Sequence, residues 1–150
     1  MPYDPIAPTE KERSMVFASV WIGCAASAVL LASHVFSLPQ GVTAAALAMT
    51  GALVFVTVLT GRQDDYFNAL RNRGLRWGMG VVALYLFAAA ILLLTSVSYS
   101  FGYAAAVNEL PDVTPGSGGL PLDGLLLATL AAFAYHLGFI TAMVRGTGDQ

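Results

Sequence analysis

The longest uncharged stretch of the chain decides what it can fold into. From Ser14 to Gly61 there is no Asp, Glu, Lys or Arg, a run of 48 residues. A helix crosses the hydrocarbon core of a bilayer with about 20 residues, so this run is long enough for two crossings. The sequence SLPQG interrupts it, because Pro39 lacks a backbone donor and Gly41 permits a tight reversal. We therefore predict two membrane-spanning helices, over residues 14–37 and 42–60.

Two further uncharged stretches, residues 77–97 and 124–144, bring the number of predicted spans to four. Only 11% of the 150 residues are charged, whereas about a quarter are charged in a soluble domain. The sequence therefore predicts an all-α membrane protein, a four-transmembrane-helix bundle that forms one integral membrane domain over residues 1–150. Its first partner is the lipid bilayer. The net charge of −2 gives no sign of a nucleic-acid partner.

The basic residues orient the predicted bundle. Lys11 and Arg13 precede the first span, four arginines lie between Arg62 and Arg76, and Arg145 follows the fourth span. With four spans, all seven basic residues fall on one side of the membrane, and cytoplasmic loops are the ones enriched in Lys and Arg. We expect both termini in the cytoplasm. Six arginines to one lysine, with abundant Ala and Gly, favour a bacterial source and thus the inner membrane.

The basic segment between the second and third spans has two faces. On a helical wheel the apolar side chains of residues 63–73 fall on one side and the charged ones on the other, a pattern typical of a helix in the membrane interface. We predict a short interfacial helix that ends at Gly74 in the left-handed conformation. Its apolar face lies in the headgroup layer or docks a partner, and its arginines contact anionic lipid; an irregular solvated turn is the alternative. The candidate residues are Tyr66, Phe67, Leu70, Arg71, Arg73 and Arg76.

The two histidines are the polar groups of most interest within the spans. His34 lies about one turn from the outer end of its helix, and His136 lies near the middle of the fourth span. A difference in depth of roughly 15 Å excludes a shared haem, and we predict no cofactor and no metal. A polar group near the midplane faces the bundle interior and finds a partner. A hydrogen bond from His136 to Thr50 or Tyr85 is favoured over a ligand or proton site.

Small residues recur at every fourth position, which lets helix backbones approach closely in lipid. We favour packing within the chain, with an oligomer interface as the alternative. The rows are Ser19, Gly23 and Ser27; Ala44, Ala48 and Ala52; Gly74 and Gly78; and Gly124, Ala128 and Ala132.

The sequence excludes more functions than it supports. The single cysteine, Cys24, rules out an intrachain disulfide or a thiol redox pair, and ion-coupled transport needs ionisable groups within the spans. The leading hypothesis is a non-catalytic accessory or assembly subunit of a membrane complex, or a small homo-oligomer. A small carrier or channel for an apolar or neutral solute is the alternative. An enzyme that uses His136 on a lipid-like substrate comes third, because no catalytic partner for the imidazole is visible.

Overall fold

Four α-helices make up the computed structural model, which describes residues 10–59, 64–107 and 124–146. They are α1 (Glu10–Val35), α2 (Gln40–Leu59), α3 (Asp65–Val107) and α4 (Gly124–Arg145). Each contains a stretch long and apolar enough to cross a membrane. The prediction of an all-helical chain with four candidate spans is confirmed, and α1, α2 and α4 begin and end within a few residues of the predicted limits.

Helix α4 holds the bundle together. It packs against both α1 and α3, whereas α2 packs mainly against α1 and touches α4 only lightly. Helices α1 and α3 begin at the same end of the bundle at which α2 and α4 finish. We call this the basic end, because Arg13 lies at the start of α1 and Arg145 at the finish of α4.

Three phenylalanines from three helices form the core at the basic end. Phe17 of α1, Phe67 of α3 and Phe139 of α4 contact one another edge to face, with ring centroids 5.2 to 6.3 Å apart. Leu70 and Val20 complete the cluster and are fully buried. Each such aromatic pair contributes about 0.5–1.5 kcal/mol beyond burial of its area. The cluster therefore ties the start of α1, the start of α3 and the last turns of α4 together.

The separate short helix predicted before the third span is wrong, because α3 is one continuous helix from Asp65 to Val107. Gly74 lies inside it, and the one glycine with a positive φ in the described part of the chain is Gly146. Close packing explains Gly74 better than a helix stop does. A Cβ atom added there would lie 2.7 Å from the backbone oxygen of Tyr135 in α4, and one added at Gly138 would lie 2.7 Å from Cγ of Trp77.

The side chains of Phe67 and Leu70 are also placed differently from the prediction. They were expected in the headgroup layer or against a partner, but they are 3% and 0% exposed inside the chain's own core. The helical wheel correctly predicted that these two residues share the apolar face of the helix. It could not show that α1 and α4 cover that side. Tyr66, beside them, is 37% exposed.

Helix α3 extends well past the other three. Gly78 packs against Ala131, so Gly124 at the start of α4 is level with about residue 85 of α3. From there α3 continues for roughly 22 residues, about 33 Å, past the level at which α4 begins, and Ala89, one turn beyond that level, is still buried. The third span was predicted over residues 77–97, and the helix that contains it continues as far as Val107. Residues 108–123 lie outside the described part of the chain.

The arginines of α3 lie part of the way along the bundle rather than at its basic end. An ion pair of 2.8 Å between Nη2 of Arg13 and Oδ2 of Asp64 aligns the beginnings of α1 and α3. Arg76 is twelve residues further along, about 18 Å from Asp64. Arg71, Arg73 and Arg76 therefore occupy levels at which α1 is already uncharged.

Candidate functional site

His136 is buried where α1 and α4 come closest. Its side chain is 0% exposed, and a Cβ atom added at Gly23 would collide with the imidazole ring. Glycine at position 23 is what allows α1 to approach this ring. The expectation that His136 faces the interior is met, and Gly23, from one of the small-residue rows, packs within the chain.

Neither ring nitrogen of His136 has a hydrogen-bond partner among the residues that the structure describes. The Ala132 carbonyl, one turn earlier in α4, is close, but the ring does not reach hydrogen-bond geometry with it. Tyr85 is too far away to take part: it lies eleven residues beyond Gly74, the residue of α3 packed against Tyr135, which is about 16 Å along the helix. The predicted bond from His136 to Tyr85 or Thr50 is not formed.

Thr50 lies instead at a cavity between α1, α2 and α4. The cavity has a volume of about 210 Å³ and an almost wholly apolar lining that includes Leu30, Ala128 and Ala132. The Thr50 hydroxyl is buried and has no hydrogen-bond partner among the described residues. A small molecule with one hydrogen-bonding group and an apolar body would match this lining.

Tyr135 adds a further buried polar group that the sequence did not point to. It is 3% exposed, and its ring meets that of His136 edge to face at 5.3 Å. Its hydroxyl lies near Thr57 and within the electrostatic reach of Arg71, without hydrogen-bond geometry to either. Polar groups from α2 and α3 therefore gather near the Tyr135 hydroxyl of α4.

Arg71 joins α3 to the end of α2. Its Nη1 atom donates a hydrogen bond of 3.3 Å to the backbone oxygen of Val58. The last four carbonyls of a helix have no partner within the helix, so this guanidinium satisfies one of them. Arg71 was expected to contact anionic lipid, and its half-buried side chain instead has a structural partner.

Asp64 begins α3 as its N-cap. Its Oδ1 atom accepts a hydrogen bond of 2.8 Å from the backbone N–H of Phe67, and the same carboxylate pairs with Arg13. N-cap aspartates stabilise a helix by about 1 kcal/mol. The Asp-Asp pair before an apolar residue was the sequence signal for this helix start.

Arg73 and Arg76, the other two predicted arginines, open into a cleft of about 440 Å³ between the first half of α3 and the last turns of α4. Arg145 of α4 lines the other wall, near the level of the start of α3, and Trp77 is the lining residue furthest along α3. We call this the basic cleft. Its other polar side chains are Asp65, Asn68, Asn72 and Thr141.

Arg145 was not predicted as a site residue, because residues far apart in the chain form the two walls of the cleft. The available signal was spacing. Asn72 and Arg73 lie four and three residues before Arg76, so each shares a helix face with Arg76. The packing of Gly74 on α4 sets the register that brings Arg145 to the same cleft, and the sequence alone does not give that register.

Comparison with known protein families, with curated proteins and with solved structures finds nothing that matches this chain.

Proposed function

We propose that this chain is a non-catalytic subunit of a membrane assembly, as an accessory or assembly subunit of a larger complex or as a small homo-oligomer. The observation that supports this is the outer half of α3. From Phe87 to Val107 it carries no charged residue, and it lies past the level at which α4 begins, although Ala89 is only 5% exposed. Phe87, Leu94 and Tyr103 are each more than 60% exposed.

Helix α3 is offset along the bundle axis from the other three helices. As a result, some apolar surface lies outside the lipid wherever the bilayer is placed along that axis. If the hydrocarbon core of about 30 Å is centred on α1, α2 and α4, it ends near residue 86 of α3. The apolar helix beyond then lies in the headgroup layer and in water. If the core is centred on residues 77–97, the first half of α1 is left outside, including Met15 and Trp21, which are 58% and 52% exposed. Continuous apolar surface of this kind marks an interaction site.

The proposed orientation places both termini and the basic end in the cytoplasm of a bacterial cell, in its inner membrane. All six described basic residues lie in the first half of α1, the first half of α3 or the last turn of α4, and Arg62 lies outside the described residues. Reporter fusions at Gly61, Gly102 and Gln150 test this orientation. Cytoplasmic signals at Gly61 and Gln150 with a periplasmic signal at Gly102 would agree with it, and a periplasmic signal at Gln150 would contradict it.

Site-specific photo-crosslinking in native membranes tests the association. Leu94 and Met79 are matched positions on α3, because they are 68% and 65% exposed and about 60° apart around the helix. Met79 is flanked by the bundle and Leu94 is beyond it. A crosslinker at Leu94 should capture protein, either a second copy of this chain or another membrane subunit, whereas the same group at Met79 should capture mainly lipid. Equal labelling of lipid alone at both positions would refute the proposal.

A small carrier or channel for an apolar or neutral solute is the second candidate, and the cavity at Thr50 favours it. Filling that cavity with Ala128→Phe should abolish solute flux in liposomes. Ala48→Phe is the matched control, because Ala48 lies on the exposed face of α2 and does not line the cavity. Flux that survives Ala128→Phe would exclude this route.

A further inference from the structure

We propose that the basic cleft binds the phosphate group of an anionic amphiphile, drawn below the membrane surface between α3 and α4. This goes beyond the proposed association and does not depend on it. The site is formed by side chains from two helices: Arg73 and Arg76 on one wall, and Arg145 on the other.

The charge of the cleft selects an anion. Among the residues that the structure describes, three guanidinium groups line it against one carboxylate, that of Asp65 at the start of α3. The one ion pair in the described part of the chain joins Arg13 and Asp64, so no described carboxylate lies within 4.0 Å of the three cleft arginines. Guanidinium groups bind phosphate oxygens with two parallel hydrogen bonds. The side-chain amides of Asn68 and Asn72 and the Thr141 hydroxyl add polar groups to the same lining.

The depth of the cleft points to a lipid as the source of the phosphate. Arg73 and Arg76 lie about 13 and 18 Å along the bundle from Asp64, at levels where α1 is uncharged. Charged side chains at such levels are costly unless they are paired or solvated. By the register of Gly74 with Tyr135, Arg145 lies near the level of Asp64, closer to the basic end of the cleft. An anionic headgroup pulled in past Arg145 would pair with Arg73 and Arg76.

The surface next to the cleft suits an acyl chain. Trp77 lines the cleft and is 46% exposed, and the neighbouring Met79 and Leu84 on α3 are 65% and 70% exposed. A phospholipid with its phosphate among the arginines could therefore lay its chains along the apolar side of α3. Free phosphate, or a soluble phosphate ester, would use the same arginines without needing that apolar surface.

Trp77 provides a direct readout. The chain has two tryptophans, and the second, Trp21, is exposed on α1 and does not line the cleft. In a Trp21→Phe background, all tryptophan fluorescence comes from Trp77. The protein is reconstituted into phosphatidylcholine vesicles that contain an equal fraction of brominated phosphatidylglycerol or of brominated phosphatidylcholine, and quenching is compared.

The expected result is stronger quenching by the anionic lipid, and the preference should fall roughly fivefold for each arginine removed. Arg73→Gln and Arg145→Gln, on opposite walls, should both lower it. Lys11→Gln is the matched control, because it removes the same charge near the basic end from a residue that does not line the cleft. Circular dichroism of every variant verifies that the helices are retained.

A second arm separates the two sources of phosphate. Inorganic phosphate is titrated into the same protein in vesicles of phosphatidylcholine alone. A lipid preference that millimolar phosphate does not remove assigns the cleft to a headgroup. A change in Trp77 fluorescence with phosphate that is lost in Arg145→Gln, without any lipid preference, assigns it to a soluble phosphate. No lipid preference together with no response to phosphate would overturn the proposal, as would equal losses in Lys11→Gln and Arg145→Gln.

Discussion

Replacing Gly74 by alanine should force α3 and α4 apart. The added Cβ atom would lie 2.7 Å from the backbone oxygen of Tyr135 and 2.9 Å from Cδ2 of its ring, whereas ordinary van der Waals contact begins at 3.4 Å. The nearer atom belongs to the backbone of α4, so no side-chain rotation can relieve the contact. A separation of ~0.5–1 Å already loses a quarter to a half of the dispersion attraction across an interface.

The size of the effect follows from two opposing contributions. Overpacking of this kind costs about 1–3 kcal/mol, and the gain in helix propensity from glycine to alanine offsets up to ~1 kcal/mol of it. Gly80 lies on the same helix, and a Cβ atom added there would meet no atom within 4 Å. Gly80→Ala therefore receives the propensity gain alone. The free energy of unfolding should be lower for Gly74→Ala than for Gly80→Ala by about 1–3 kcal/mol.

Unfolding in mild-detergent micelles with an increasing fraction of sodium dodecyl sulfate, followed by circular dichroism, measures this difference. Gly78→Ala supplies an intermediate case, because its Cβ atom would lie 3.1 Å from the Ala131 oxygen. The expected order of stability is Gly80→Ala, then Gly78→Ala, then Gly74→Ala. If Gly74→Ala is as stable as Gly80→Ala, the close contact between α3 and α4 does not exist.

Two further substitutions test other contacts by the same unfolding measurement. Gly23→Ala should destabilise the protein when His136 is present and should cost much less in a His136→Ala background, with a coupling energy of about 0.5–3 kcal/mol; simple additivity would mean that the ring does not occupy this space. Asp64→Ala should lower the free energy of unfolding by about 1 kcal/mol through loss of the N-cap bond to Phe67. Asp65→Ala, at an exposed position in the first turn, should cost less, and equal losses would indicate a general charge effect rather than a cap.

The number of helices could be predicted because it depends on local composition alone. A charge-free run interrupted by Pro39 and Gly41 predicts α1 and α2 whichever way the helices pack against each other. The continuity of α3 past Gly74 could not be predicted in the same way, because a glycine at this position indicates a helix stop when α4 is ignored. Its role depends on a carbonyl that lies about sixty residues further along the chain.

At the candidate site, too, one property could be predicted from the sequence and others could not. Burial of His136 could be predicted from the cost of exposing an imidazole to lipid, without knowledge of its neighbours. Its partners could not, because they depend on which residues of α1 and α4 share a level, and the level of Gly23 is fixed by packing. That Arg145 and Arg73 line the same cleft also depends on the register between α3 and α4.

The central position of α4 has a consequence for the order in which the protein is made. Helix α3 packs chiefly against α4, yet α4 is synthesised after α3. At about 5–20 residues per second, the 38 residues from Val107 to Arg145 take roughly 2–8 s to emerge. During that interval α3, which has three arginines in its first half, lacks α4, the helix against which it mainly packs. A nascent chain arrested before Gly124 should therefore be the species that membrane insertases retain and quality-control proteases attack.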